Sequence, residues 1–166
     1  MRPLILEKIN NKLDEIVTKC FEGNRIADRG MSVLGVKFVM NKTESVLHPK
    51  VAHLFPALAD KVSEYQGSRN NLTFYGLTPA DNTDYDSPLD FFERLLNHMI
   101  DLEGLIMESV DLSKDEKDYS TQSFLFEFLE SITELTAQCL LLIDKAELYK
   151  NDWMAFDHRI EDFIIL

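Results

Sequence analysis

The sequence predicts an all-α chain: four long helices in one bundle, a long crossover between the second and third, and a short helix near the C-terminal end. Three observations carry this. Pro and Gly number only five and six in 166 residues, too few for the closely spaced turns of a sandwich or barrel. Apolar residues recur at steps of three, four and seven along four long stretches, which is the helical period. Residues 68–87 are rich in Asn, Asp, Thr and Ser and too long for a turn between antiparallel neighbours, so the chain must cross between helix pairs there. One domain, residues 1–166, is expected, large enough to bury a core without disulfide or metal staples.

The first helix is expected from about Pro3, at the favoured first-turn position, to about Lys42, on the stripe Leu6, Ile9, Leu13, Ile16, Cys20, Ala27, Met31, Leu34 and Phe38. Gly23, Gly30 and Gly35 interrupt it, and a break is expected near Gly23 or Gly30. Beyond Ile26 a second face turns apolar through Val33, Val36 and Met40, which suggests a subunit contact. Pro49 suits a helix start, so the second helix is placed at about 49–67, with Val51, Leu54, Phe55, Leu58, Val62 and Tyr65 inward and a kink at Pro56.

The third helix is expected to begin after Ser87, an N-cap followed by Pro88 in the first helical position, and to run to about Val110. Its stripe is Phe92, Leu95, Met99, Leu102, Ile106 and Val110. The fourth, at about 120–147, turns Phe124, Phe128, Ile132, Leu135, Cys139 and Leu142 inward. A short amphipathic helix near 151–163 presents Trp153, Phe156, Ile160 and Phe163.

Charge is unevenly spread. Residues 1–80 hold eleven Lys/Arg and eight Asp/Glu, residues 81–166 six and twenty-one, a net +3 against −15. The second half therefore carries a negative field that keeps the protein soluble, attracts cations and disfavours nucleic acid. Cys20 and Cys139 lie at apolar helical positions without zinc-site spacing and are expected as reduced core thiols. The N-terminal apolar run is too short for a signal segment, and no stretch approaches the roughly 20 apolar residues of a membrane span, so no membrane partner and a cytoplasmic location are expected.

Residues 88–112, PLDFFERLLNHMIDLEGLIMESVDL, resemble the third helix of bacterial ferritins. Residues 118–145, DYSTQSFLFEFLESITELTAQCLLLIDK, resemble the fourth, and LEKINNKLDEI at 6–16 is similar to the start of a ferritin first helix. The resemblance covers roughly half the chain and implies a ferritin-like four-helix bundle. In that family a di-iron centre inside the bundle draws Glu from the first and third helices, a Glu-x-x-His pair from the second and Glu/Gln from the fourth. By register those positions fall near Ile16, Met99, Ser131, Ile132 and Leu135, and no Glu-x-x-His occurs; Glu44 and His48 stand one residue too far apart. The inherited intrabundle site is therefore degenerate.

Two other carboxylate groups remain. Glu127, Glu130 and Glu134 fall within about 60° of one another, opposite the Phe128–Leu135 face, and are expected on a solvated or cation-gathering surface. On the second helix His53, Asp60 and Glu64 share a stripe away from the core, a mixture of imidazole and carboxylate that suits iron, manganese or zinc. Asp60 and Glu64 have the Asp-x-x-x-Glu form of mini-ferritins of the Dps type, which hold iron between subunits, and His48 or His53 is the candidate nitrogen ligand. His48 also has a structural reading at the helix start before Pro49. His98 and Asp101 read as a surface hydrogen-bonded pair, and Glu103 as a carboxylate paired near the core.

The first functional expectation is a homo-oligomeric iron-binding protein for storage or detoxification, with iron as its metal and ferroxidase activity left open. The alternative is a non-catalytic oligomeric assembly or interaction module on the same bundle.

Overall fold

The computed structural model describes residues 2–166, and the described residues are helical outside the crossover and short links. Helix α1 spans Glu7–Val36. A second helical column is built from α2, Asn41–Leu47, a π-helical turn, His48–Ala52, and α3, Leu54–Ser68. Helices α4, Pro88–Asp115, and α5, Tyr119–Tyr149, complete the bundle. Helix α6, Trp153–Arg159, and a 3₁₀ turn, Ile160–Phe163, close one end, where Phe156, Ile160 and Phe163 are buried among Tyr149 and Trp153.

The crossover is fastened along α1 from its first turn to its last. The Asn10 amide donates to the Leu72 carbonyl, Phe74 N–H donates to Asp14, Gly76 N–H to Thr18, Arg29 donates to the Thr83 carbonyl and Lys37 to that of Tyr85. The crossover thus parallels α1, returning the chain to the far end so that α4 runs antiparallel to it. Buried Gln66 bonds Asn10 and Asp14 and accepts from Thr73, so the turn into the crossover is satisfied by side chains. At the other end Ser87 and Asp90 form a capping box, stabilising the start of α4 by about 1 kcal/mol.

Several boundaries differ from the expected ones. Helix α1 stops at Val36 and does not break at Gly23 or Gly30. Those glycines instead let rings lie against it: a Cβ at Gly30 would overlap Phe91, and one at Gly23 would overlap Phe55 and His98. Of the second apolar face expected on α1, Val33 is buried within this chain and Val36 is exposed, while Met40 lies beyond the helix and is buried at the start of α2. The second column begins at Asn41, not Pro49, and α4 extends to Asp115. Pro49 lies inside the column, where its missing N–H is absorbed by the π-helical turn. Pro56 falls in the first turn of α3, and the irregularity sits before it, at residues 48–53. No helix is long and apolar enough to cross a membrane among the described residues.

Candidate functional site

The bundle interior is apolar where a di-iron centre would need carboxylates. Ile16, Met99, Ile132 and Leu135 are fully buried, as are Val17, Phe55, Leu58 and Val62 around the same core. Ser131 is half-buried, with Lys61 Nζ 3.5 Å from its hydroxyl. Three buried polar groups are engaged elsewhere: Gln66 and Asp14 hold the crossover, and Gln138 bonds the Phe163 carbonyl and Ile165 N–H. Cys20 and Cys139 are free, and burial pushes both thiols up to about 12, which keeps them protonated and poor ligands.

His98 is a correction to the sequence reading. It is buried, not paired with exposed Asp101, and its Nε2 lies 3.0 Å from the Lys19 carbonyl of α1, beside the Phe55 ring. Burial holds its pKa below the ordinary imidazole value, against the raising effect of Glu22, so it stays neutral and structural. Glu103 is half-buried and makes no ion pair among the described residues.

His53, Asp60 and Glu64 are all exposed, as the stripe requires. Asp60 and Glu64 lie one turn apart, about 6 Å along the axis, close enough to share an ion, whereas His53 lies about 10 Å before Asp60 and about 16 Å before Glu64. Accordingly no group of three or more His, Cys, Asp or Glu stands in metal-binding geometry among the described residues of one chain. His48 is not at a helix start. It lies in the π-helical turn, its ring 4.6 Å from that of His53 and its Nε2 3.1 Å from Asp28 on α1.

One groove is lined by carboxylates of different helices. Glu64 of α3 and Glu127 of α5 line one groove together with Lys61, Tyr65, Ser68, Phe124 and Phe128. Lys61 and Glu134 line the adjoining groove with Ser131, Leu54 and Lys50. Tyr65 and Phe124 stack with centroids 4.1 Å apart and form the groove wall, and the Tyr65 hydroxyl is held by Thr121, which in turn donates to Asp118 at 2.6 Å. Glu127, Glu130 and Glu134 are exposed, so this stripe is the wet side of α5. Sequence periodicity placed each stripe on its own helix. It carried no signal that Glu64 and Glu127 would line one groove.

Comparison with known proteins places this geometry. A family model described as a ferritin-like domain matches residues 56–149. The fold superposes on an open-pore ferritin from the hyperthermophilic archaeon Archaeoglobus fulgidus with a TM-score of 0.88 at 20% identity, covering 98% of both chains. A humanized archaeal ferritin gives a TM-score of 0.87, again at 20% identity and 98% of both chains. No curated protein sequence matches. At this identity the structural likeness establishes the fold.

Proposed function

The chain belongs to the ferritin-like family, and from that premise we propose that it is the subunit of a homo-oligomeric iron-storage assembly, one that gathers iron on exposed carboxylates and not inside the bundle. The observation that carries this reading is the shared groove of Glu64 and Glu127, set beside an interior whose corresponding positions are apolar. Iron is the cargo here. Asp60 and Glu64, one turn apart, present oxygen donors to Fe(II), and Glu127 of α5 lines the same groove as Glu64. Carboxylate oxygens stabilise the triply charged ion more than the doubly charged one, so oxidation by O₂ is favoured at such a surface. A second copy supplies any further ligands and encloses the acidic faces.

Aerobic addition of Fe(II) to the metal-free protein tests this, following Fe(III) absorbance and the iron that elutes with the protein. Saturable, protein-bound Fe(III), lowered in Asp60→Ala/Glu64→Ala and in Glu127→Gln, is the expected result. Uptake equal to buffer overturns it. The apolar interior favours a second reading in that event: a metal-free assembly module, whose oligomer persists by light scattering in the presence of chelator.

A further inference from the structure

Pro49 has no N–H to give the carbonyl four residues earlier, and the backbone widens over His48–Ala52 into an i to i+5 turn closed by the His53 N–H on the His48 carbonyl at 3.2 Å. In a regular α-helix, residues five apart point about 140° away from each other. The widened turn brings them together: the two imidazole centroids lie 4.6 Å apart with the rings tilted by 59°. Asp28 on α1 then places Oδ1 3.1 Å from Nε2 of His48. An ionised carboxylate can only accept, so in neutral His48 Nε2 carries the proton and Nδ1 keeps its lone pair. A carboxylate that fixes the tautomer and orientation of an imidazole in this way is the usual backing of a metal-binding histidine. His53 is exposed, and the side chains of His48 and Asp28 are about half exposed, so a cation reaches them without crossing the core.

We propose that His48 and His53 form a two-nitrogen site for a divalent cation of the Cu²⁺, Ni²⁺ or Zn²⁺ class. Asp28 is its positioning residue, and water completes the coordination. Imidazole pairs select this class over Mg²⁺ and Ca²⁺, which take oxygen ligands. The site uses none of the groove carboxylates, so it stands or falls separately from iron storage.

Cu²⁺ is the probe of choice, since it binds nitrogen sites most strongly in the divalent series and its paramagnetic resonance spectrum reports coordinated nitrogens. One equivalent is added to the full chain in excess Mg²⁺, which occupies the exposed carboxylates. The expected spectrum carries the splitting of two nitrogens. His48→Ala and His53→Ala each lose that pattern, Asp28→Asn keeps it while weakening affinity about tenfold, and His158→Ala, at the other exposed histidine, changes nothing. These surface substitutions leave the fold intact. Only oxygen-coordinated Cu²⁺ in the parent protein, or a two-nitrogen pattern that survives in the His48→Ala/His53→Ala double variant, overturns the proposal.

Discussion

The side-chain amide of Asn24 on α1 donates to the backbone carbonyl of Ala52 at 3.0 Å. Ala52 is fully buried and stands four residues before Pro56, which has no N–H to offer it. A side chain of another helix thus satisfies the carbonyl that the proline leaves open.

Replacing Asn24 by Leu removes that donor and is expected to cost about 1–3 kcal/mol of stability. Pro56→Ala restores a local N–H, so the same Asn24 change should cost less in that background. A double-mutant cycle by chemical denaturation measures this coupling; additive costs would show that Asn24 acts by packing alone.

Asp14 accepts from Gln66 Nε2 at 2.8 Å and from Phe74 N–H at 2.9 Å, joining α1, the end of α3 and the crossover at one carboxylate. Asp14→Ala takes the acceptor from Phe74 N–H and leaves Gln66 Nε2 with Asn10 alone, and is expected to cost about 1–3 kcal/mol. Amide exchange should quicken at residues 72–76 before it quickens in the helices. Uniform loss of protection would count against a local fastening.

His98 links stability to pH. Burial lowers its folded pKa below the unfolded value of 6.5, so above that value the two states bind the same protons and the full stability is present. As pH falls from 6.5 toward the folded pKa, the unfolded chain takes up a proton that the folded chain refuses, and stability is lost. Denaturation midpoints should therefore fall between pH 7 and pH 5.5, and the fall should be shallower in His98→Gln. An equal slope in both proteins would assign the dependence to other groups.

Lys61 lines the groove of Glu64 and Glu127 and also the adjoining one of Glu134, so its ammonium offsets part of their field. Lys61→Gln is expected to raise bound iron per subunit and steepen its dependence on salt, with little change in stability, because the side chain is exposed. Iron measured on the eluted protein at two ionic strengths checks this; unchanged loading would exclude the groove as the gathering surface.

The inward stripes of the four columns were legible in the sequence, apart from Leu6, which lies before α1 and is exposed, and so was the start of α4. A helix buries one face, and that demand writes itself as a period of 3.6 through residues such as Phe92, Leu95 and Met99, while Ser87 and Asp90 satisfy each other within four residues. The apolar character of Ile16, Met99, Ile132 and Leu135 was equally readable, and none of the four carries the carboxylate oxygen or imidazole nitrogen that iron favours. Only the tertiary structure decided the rest. Pro49 reads locally as a helix start, yet the column runs through it because a widened turn costs less than ending a helix that packs on α1. His98 looks like a surface residue on its own helix and is buried because Gly23, far away in sequence, leaves room for it beside Phe55. Periodicity reports a residue's angle on one helix. Which angles come together, as Glu64 and Glu127 line one groove and His48 meets Asp28, depends on how the helices pack.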